Sequence, residues 1–396
     1  MAILDPKKVG LDEVTEAIRR DAAQLIRRAV RLRRRIDALA QARGPDALAA
    51  ALGDDADEVQ QVLDISRPLA EKHPDAPAAP VTMRAQTVHM AAQAKMPRVS
   101  LAAVGKPVSR LVMGTNKTYV LPRLEALYDL FFEQGGSAFD GGSFYQGGRS
   151  DQLVGEWMRS RGVRDQCVVI AKGCHPETHD ARPEFIAGQV ARALEDFQTD
   201  MLDVFMPIYD NADVPAAEFI DALNEQVARG FVKSVGISNA TLDRVDAANA
   251  YAASKGLMGY TSVSNHLSLA RMVSPICVSP NVSSWKAEDR AWFAAHPGVT
   301  LIAWSSQARG FFYGRETAEV LRCWWSRDNL ARLERAKEKA AGLGTTPGAV
   351  ALAWVLAQPF EPLAIIGPDT PEDLRNSLAA FDVALSPADL AYLEHG

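Results

Sequence analysis

Three residue types that together can deliver a proton to an oxygen anion lie close together in the middle of the sequence. Tyr145 follows five residues after Asp140, and Lys172 follows at the end of the next apolar run. A tyrosine, whose pKa is about 10, donates a proton readily only where the resulting phenolate is stabilised. A lysine ammonium beside the hydroxyl gives that stabilisation, and a carboxylate holds the lysine in place. The three residues therefore suit protonation of the alkoxide that hydride addition to a carbonyl leaves, although an Asp–Lys pair alone is equally compatible with a buried salt bridge.

Short apolar runs alternate with amphipathic stretches from about residue 108 onward. The runs are predicted as eight strands and the stretches between them as helices. This alternation implies parallel strands joined by right-handed crossovers, and eight repeats predict an α/β fold, a closed (β/α)8 TIM barrel. The predicted strands are residues 111–113, 137–139, 168–170, 204–206, 234–236, 261–263, 301–303 and 363–366, and the predicted helices are residues 121–133, 182–197, 216–229, 242–254, 328–341 and 347–358.

A doubly wound sheet is the competing architecture. Such a fold would need a glycine-rich G-x-G-x-x-G turn after its first strand, and none follows residues 111–113. In a barrel the chemistry gathers at the carboxyl ends of the strands. Polar or aromatic residues and one glycine follow the predicted strands in that way, namely Asp140, Lys172, Ser238, Asn239, Trp304, Ser305 and Gly367.

The residues before the barrel are predicted to form a helical extension and a linker. Apolar positions between residues 12 and 42 fit one face of an Ala- and Arg-rich helix, and a second helical stretch follows Gly44 and Pro45. We place the helical extension at residues 1–72, the linker at residues 73–104 and the barrel at residues 105–396. The arginine cluster of the first helix favours a solvated face or an intersubunit surface over an anionic partner, so a homo-oligomer formed through these helices is one expectation.

Composition excludes several classes of function. The formal net charge of −6 argues against a nucleic-acid partner. The four cysteines contain no CxxC pair, so neither a zinc site nor a disulfide framework is expected, and a reducing compartment fits. No signal peptide and no run of about twenty apolar residues is present. We therefore expect a cytoplasmic protein with no metal, no membrane partner and a small-molecule substrate.

Residues 139–158, FDGGSFYQGGRSDQLVGEWM, resemble the segment of aldo-keto reductases in which an Asp ends the second strand and a Tyr follows five residues later. The runs IAKGCHP, VGISNAT, SNHLSLAR, AWSSQARGFF and IIGPDTPEDLRNSL follow in that family's order and at similar spacing. The resemblance covers about residues 105–396. It implies an NAD(P)(H)-dependent oxidoreductase that reduces a carbonyl or an activated double bond, with Asp140, Tyr145 and Lys172 as its catalytic residues.

The same resemblance implies a nicotinamide-cofactor site. Ser238 and Asn239 would hold the carboxamide, and Trp304 would stack on the nicotinamide ring. Backbone N–H groups around residues 305–310 and 367–370 would contact the phosphates. The complete predicted set is Ser238, Asn239, Ser264, Trp304, Ser305, Gln307, Gly310, Gly367, Asp373 and Ser377.

The sequence departs from the family pattern at the fourth catalytic position. Members carry a histidine at the end of the fourth strand, whereas this chain reads VFMPIYDNAD, with Ile208 at that position and Tyr209 next. Isoleucine cannot donate a hydrogen bond to the substrate oxygen, and a one-residue shift would present the Tyr209 hydroxyl instead. Two alternatives therefore stay open, a catalytically silent nicotinamide-binding or regulatory protein, and a non-redox lyase or isomerase with Tyr145 as a base.

The predicted cofactor pocket departs from the family pattern as well. Ser264 replaces a common glutamine, and Asp373 stands where many members carry an arginine for the 2′-phosphate of NADP. The family favours NADP, whereas a carboxylate at residue 373 favours the ribose diol of NAD unless Arg375 compensates. His175 and His266 are each expected either to line the pocket or to pack.

Overall fold

The computed structural model describes residues 83–116, 121–175, 181–276 and 281–396. The chain divides into two units, Met1–Val81 and Thr82–Gly396. The predicted helical extension, residues 1–72, and the first part of the predicted linker, residues 73–82, lie outside the described residues. The domain boundaries therefore stay predictions, and the described fold is that of the second unit.

Eight parallel strands form a closed barrel, which confirms the predicted (β/α)8 fold. Each strand pairs with the next in chain order, and the last pairs with the first through Ile366 and Met113. All eight predicted strands are present because their apolar runs are buried on both faces, as parallel strands require. The strands are β3 (Leu111–Gly114), β4 (Ala138–Asp140), β5 (Val168–Gly173), β6 (Leu202–Pro207), β7 (Val232–Ser238), β8 (Ser262–Ser264), β9 (Thr300–Ala303) and β10 (Leu363–Ile366), numbered after the two strands of an N-terminal hairpin, β1 (Arg98–Ser100) and β2 (Pro107–Ser109).

Helices connect the strands, and all six predicted helices are present. The predicted helix over residues 182–197 is shorter, because Pro183 begins a 3-10 turn before it. In the described parts of the chain, no helix is both long and apolar enough to cross a bilayer. The helices are α1 (Leu121–Glu133), α2 (Arg149–Arg161), α3 (Ile186–Asp196), α4 (Ala216–Ala228), α5 (Leu242–Lys255), α6 (Ala287–Ala295), α7 (Ala318–Trp324), α8 (Arg327–Leu343), α9 (Pro347–Leu356), α10 (Pro371–Leu378) and α11 (Pro387–His395).

The hairpin of β1 and β2 closes the amino-terminal end of the barrel. Its buried side chains Leu101, Val104 and Val108 join one apolar cluster with inward-facing barrel residues such as Val204 and Ile302. Two polar contacts hold the hairpin against the barrel strands. The ammonium of Lys106 lies 2.9 Å from a carboxylate oxygen of Asp203, and Ser234 Oγ donates to the carbonyl of Ala102 at 2.9 Å. The described part of the predicted linker, residues 83–104, thus contains β1 and packs on the barrel.

The opposite end of the barrel carries the side chains with chemical potential. Every strand contributes one residue at or just after its carboxyl end, and these residues line a common cavity. Since the carboxyl ends of parallel barrel strands meet at one face, residues far apart in sequence come together there. In strand order they are Gly114, Asp140, Lys172, Ile208, Ser238, Ser264, Trp304 and Ile366.

Candidate active site

A cavity of about 660 Å³ opens at the carboxyl face of the barrel. Every residue of the predicted site lines this cavity. The fold therefore brings together side chains from motifs that are spread over more than two hundred residues of sequence. The predicted residues that line it are Asp140, Tyr145, Lys172, Ser238, Asn239, Ser264, Trp304, Ser305, Gln307, Gly310, Gly367, Asp373 and Ser377.

Asp140 and Lys172 form a buried ion pair on neighbouring strands. The Lys172 ammonium donates a hydrogen bond to Asp140 Oδ1, and both residues are 3% exposed. Burial raises the pKa of Asp140, and the positive charge of Lys172 opposes that rise. The pair keeps two charges at the floor of the cavity, where low solvent access strengthens their effect on neighbouring groups.

Tyr145 begins a 3-10 turn, Tyr145–Gly148, that follows β4. Its backbone N–H donates to the carbonyl of Gly142 at 2.8 Å. Burial raises the pKa of the Tyr145 phenol well above 10, the carboxylates of Asp140 and Asp151 raise it further, and Arg309 opposes them. The Lys172 ammonium is held by Asp140, as the sequence predicts. The phenol is therefore protonated at neutral pH and can act as an acid.

Aromatic rings form one wall of the cavity beside Tyr145. The Phe144 ring lies 4.4 Å from that of Tyr145 and is stacked on His175 at 4.2 Å with an interplanar angle of 24°. The His175 ring meets Tyr209 edge-on at 5.5 Å. All of these rings line the cavity, so His175 belongs to the site, one of the two alternatives that the sequence left open for it.

Ile208 and Tyr209 directly follow strand β6. Strand β6 pairs with β5 through Met206 and Lys172 and through Pro207 and Gly173, and the Ile208 N–H continues this ladder to the carbonyl of Gly173 at 2.9 Å. Ile208 and Tyr209 both line the cavity. The end of β6 therefore gives the cavity both an apolar side chain and one that carries a hydroxyl, the two candidates that the sequence offered for this position.

The far wall combines hydroxyl groups with one indole. Ser238 Oγ donates to the carbonyl of Ser264 at 3.0 Å, whereas the buried Ser264 Oγ has no hydrogen-bond partner among the described residues. The Asn239 amide is engaged by backbone on both sides, donating to Ile208 O at 3.2 Å and accepting from Val282 N at 3.2 Å. The two contacts of the Asn239 amide thus stabilise this wall. Ser264 carries the hydroxyl of this wall that has no hydrogen-bond partner among the described residues.

A strained loop follows Trp304. Ser305, Ala308 and Arg309 have φ values of 48°, 47° and 54°, and Gly310 has 95°. Left-handed backbone at residues other than glycine costs about 1–3 kcal/mol each and concentrates at ligand-binding sites. A Cβ at Gly310 would also lie 2.4 Å from Arg315 Cδ, so this position requires glycine. The loop points to a binding role for residues 305–310.

Charged groups that follow this loop and that surround the start of α10 form a cluster at one edge of the cavity. Arg315 donates to Asp369 Oδ2 at 2.8 Å and to Asp373 Oδ2 at 3.4 Å. Asp373 also accepts the N–H groups of Asp369 and Thr370 at 3.0 and 3.1 Å, as the acidic member of a capping box. Arg375, the cation that the sequence suggested, is exposed and is absent from the lining.

His266 packs behind Trp304 and lies outside the cavity lining. It is fully buried, and burial lowers its pKa to about 3, so the ring is neutral. Its nitrogens lie 3.1 Å from Ser283 Oγ and 3.2 Å from Ser268 Oγ, and the ring centroid is 5.0 Å from that of Trp304. The packing alternative therefore holds for His266.

Residues 110–395 match the family model described as "Aldo/keto reductase family". The chain belongs to this family. Relatives include the uncharacterized oxidoreductase YrpG of Bacillus subtilis, 27% identical over 74% of this chain and 93% of YrpG. The norsolorinic acid reductase stcV of Emericella nidulans is 27% identical over 68% of this chain and 70% of its own length. The probable aryl-alcohol dehydrogenase AAD4 of Saccharomyces cerevisiae is 25% identical over 68% and 85%.

A solved structure supports the same fold for this aldo/keto reductase. The thermostable aldo-keto reductase Tm1743 is 21% identical, and the match covers 76% of this chain and 99% of that one, with a TM-score of 0.58. This likeness establishes the barrel architecture, and the family model establishes membership. Both agree with the resemblance carried by the sequence motifs.

Other reactive groups of the described barrel are arranged for packing. Across the described residues, no cluster of three or more His, Cys, Asp or Glu side chains is placed to hold a metal. Cys167 and Cys174 are buried, and burial raises the pKa of each thiol to about 12, so neither is an activated nucleophile. Cys323 is buried, and its Sγ donates to the carbonyl of Pro275 at 3.6 Å, whereas Cys277 lies outside the described residues.

Sequence reasoning missed several residues of this aldo/keto reductase site. The side chains of Phe144, Arg309 and Asp369 lie within recognised motifs but were given no role of their own, and Arg315 follows the motif AWSSQARGFF by three residues. Their signal was weak, because nothing in a motif shows which of its side chains face the cavity. The charges of Arg309, Arg315 and Asp369, which follow predicted strands, could have been noticed.

Proposed function

We propose that this aldo/keto reductase is a nicotinamide-dependent carbonyl reductase in which Tyr145 is the proton donor. The observation that carries the proposal is the buried Asp140–Lys172 ion pair in one cavity with a protonated tyrosine. NADP is the proposed cofactor, as in the family, and NAD is the alternative that the carboxylates around Arg315 favour. Membership of an oxidoreductase family supports this reaction class.

The residues present fit a nicotinamide dinucleotide. The unpaired Ser264 Oγ, next to Ser238, offers a donor and acceptor for a carboxamide. Trp304 offers a ring for stacking, and the strained backbone after it resembles the close-approach loops that contact phosphates. When bound, the cofactor supplies a hydride to the carbonyl carbon of the substrate.

Tyr145 supplies the proton that the developing alkoxide needs. Its high pKa keeps the proton in place until an oxygen anion forms beside it. The positive charge of Arg309, which already opposes the rise in that pKa, stabilises the phenolate that remains. The ion pair of Lys172 and Asp140 keeps its two charges in place at the floor of the cavity. These residues hold, release and recover one proton.

A second donor to the substrate oxygen has to come from a residue other than Ile208. Loss of one such donor typically slows the reaction by about 10²–10³. Tyr209 and His175 both line the cavity, and Tyr209 is near enough to act on the pKa of Tyr145. We assign the second hydrogen bond to Tyr209, with His175 packed against its ring.

The aromatic wall favours an aryl aldehyde or aryl ketone as substrate. A planar ring can stack beside Phe144 and His175, which already stack on each other, and gains about 0.5–1.5 kcal/mol over simple burial. The names of two relatives, a norsolorinic acid reductase and a probable aryl-alcohol dehydrogenase, support an aromatic substrate.

The experiment combines calorimetric titration with turnover. NADPH and NADH are titrated into the full chain, and cofactor oxidation is followed with aromatic and aliphatic aldehydes of matched size. Tyr145→Phe should abolish turnover and keep cofactor affinity, and Tyr209→Phe should lower turnover about 10²-fold. Aliphatic preference would refute the substrate class.

Two other outcomes correspond to the alternatives that Ile208 favours. Cofactor binding without turnover on any carbonyl would identify a silent nicotinamide-binding or regulatory protein. Turnover that proceeds without nicotinamide consumption would identify a lyase or isomerase with Tyr145 as base. Either result would refute the reductase proposal.

The remaining partners and the location belong to the same proposal. A small-molecule substrate, no nucleic acid, no membrane contact and a cytoplasmic location fit the composition. A homo-oligomer formed through residues 1–72 is proposed from the arginine-rich sequence alone. Light scattering of the full chain and of a chain that begins at residue 73 would test it.

A further inference from the structure

One buried carboxyl group lies directly behind the proposed catalytic loop without lining the cavity. Asp151, in the first turn of α2, is 0% exposed. Its Oδ1 accepts the N–H of Gly142 at 2.9 Å, and its Oδ2 has no hydrogen-bond partner among the described residues. A buried carboxyl with one unsatisfied oxygen is destabilising, which makes Asp151 a candidate for a role beyond packing.

The loop that Asp151 contacts joins Asp140 to Tyr145. Three successive N–H groups of this loop are fixed: that of Gly141 by Ile170 O at 2.9 Å, that of Gly142 by Asp151, and that of Ser143 by Lys172 O at 3.0 Å. Two of these anchors are backbone carbonyls of β5. Asp151 therefore supplies the side-chain anchor among the three.

The loop is also held sterically against Asp151. A Cβ at Gly141 would lie 2.5 Å from Asp151 Oδ1 and 2.5 Å from Phe197 Cζ, so the backbone passes in direct contact with the carboxyl. The N–H of Tyr145 in turn donates to Gly142 O at 2.8 Å. The position of the phenol thus depends on Gly142, and the position of Gly142 depends on Asp151.

Charged groups surround Asp151 from each packed element. Asp140 on β4 and Asp196 at the end of α3 raise the pKa of Asp151, and Lys172 on β5 and the Gly142 N–H oppose them, with burial as the largest cause of a rise to about 7. Asp196 is itself held by Arg192 at 2.8 Å and Gln152 at 2.9 Å. The carboxyl of Asp151 also acts on the phenol of Tyr145.

We propose that Asp151 is a positioning residue for the proposed reduction, which holds the loop that carries Tyr145 and, by gaining or losing its proton, changes how readily that phenol gives up its own. This inference rests on the proposed function. An ionised Asp151 makes Tyr145 a weaker acid, because a nearby negative charge disfavours the phenolate. Turnover should therefore fall as the pH rises through the ionisation of Asp151.

The kinetic experiment compares wild type, Asp151→Asn and Ser150→Ala in the full chain between about pH 5.5 and pH 9. Asparagine keeps an acceptor for Gly142 and cannot ionise. We expect the wild-type turnover number to fall about threefold to tenfold across neutral pH, Asp151→Asn to lose that inflection, and the KM for cofactor to stay unchanged. Ser150→Ala removes a neighbouring buried hydroxyl that has no partner among the described residues, and it should follow wild type.

An experiment that is independent of turnover measures hydrogen exchange of the Gly142 amide. Asp151→Ala removes the acceptor and should speed exchange about tenfold or more, whereas Asp151→Asn should stay close to wild type. An unchanged rate in Asp151→Ala, or an unchanged pH profile in Asp151→Asn, would overturn the inference. A protein without turnover that still shows the exchange result would refute the reductase proposal and leave the positioning role standing.

Discussion

Replacing Asp151 by asparagine should change the pH dependence of stability in a defined direction. The pKa of Asp151 is raised from 3.8 to about 7 in the folded protein. Between these values the unfolded chain has lost the proton and the folded chain retains it, so the free energy of unfolding falls as the pH rises. The loss begins near the unfolded value and is complete above about pH 7.

The size of the effect follows from the width of that interval. Each pH unit contributes about 1.4 kcal/mol, so the two units between about pH 5 and pH 7 remove about 3 kcal/mol from wild type. Asp151→Asn cannot ionise and does not suffer this loss. Its free energy of unfolding relative to wild type should therefore rise by about 3 kcal/mol between pH 5 and pH 8.

Urea unfolding of both proteins at the two pH values measures this difference, and Ser150→Ala serves as the control that should follow wild type at both. The asparagine retains an acceptor for the Gly142 N–H. At Oδ2, which has no partner among the described residues, the protonated carboxyl of Asp151 and the amide of asparagine are both neutral groups of similar size. A difference between variant and wild type that does not change with pH would refute a raised pKa at Asp151.

Three further predictions concern other parts of the barrel. His266, whose pKa burial lowers to about 3, contributes a loss of unfolding free energy as the pH falls, because only the unfolded chain takes up the proton; by urea unfolding, the stability of His266→Gln relative to wild type should rise by about 2 kcal/mol between pH 7 and pH 5, and a constant difference would contradict the lowered pKa. Gly141→Ala should lower the melting temperature and destabilise by about 1–3 kcal/mol, since its Cβ would lie 2.5 Å from Phe197 Cζ; an unchanged melting curve would contradict the packing. Asp369→Asn should release Arg315 toward a phosphate and shift the NADPH-to-NADH affinity ratio about threefold to tenfold toward NADPH by calorimetry; a constant ratio would place the phosphate elsewhere.

The barrel could be predicted because its signal repeats. Eight apolar runs recur with helices between them. The repeat as a whole predicts the closed barrel, so an error in the bounds of one strand does not change the predicted fold. Helices α10 and α11, which are absent from the predicted set, carry a local signal, since Thr370-Pro371 and Ser386-Pro387 begin capping boxes. Helix α2 was harder, because it follows left-handed Gly148 and buries polar residues such as Asp151 and Glu156.

The candidate site could be predicted only in part. Residues within motifs, such as Asp140 and Lys172, could be placed because strand ends converge on one face of a barrel. The charge balance at Tyr145 could not be predicted, because it depends on how deeply the phenol is buried and on the approach of Asp151 and Arg309. The same holds for Arg315, which pairs with two carboxylates more than fifty residues away.

The hairpin over residues 98–109 has a consequence for the order in which ligands come and go. It closes the barrel at the amino-terminal end, so in the described part of the chain the cavity opens at the carboxyl face alone. Two ligands that share one opening bind in a fixed order, because the ligand that lies deeper has to enter first and leave last. Product-inhibition kinetics of this protein should accordingly show a compulsory sequence of binding, with the outer ligand unable to bind productively before the inner one.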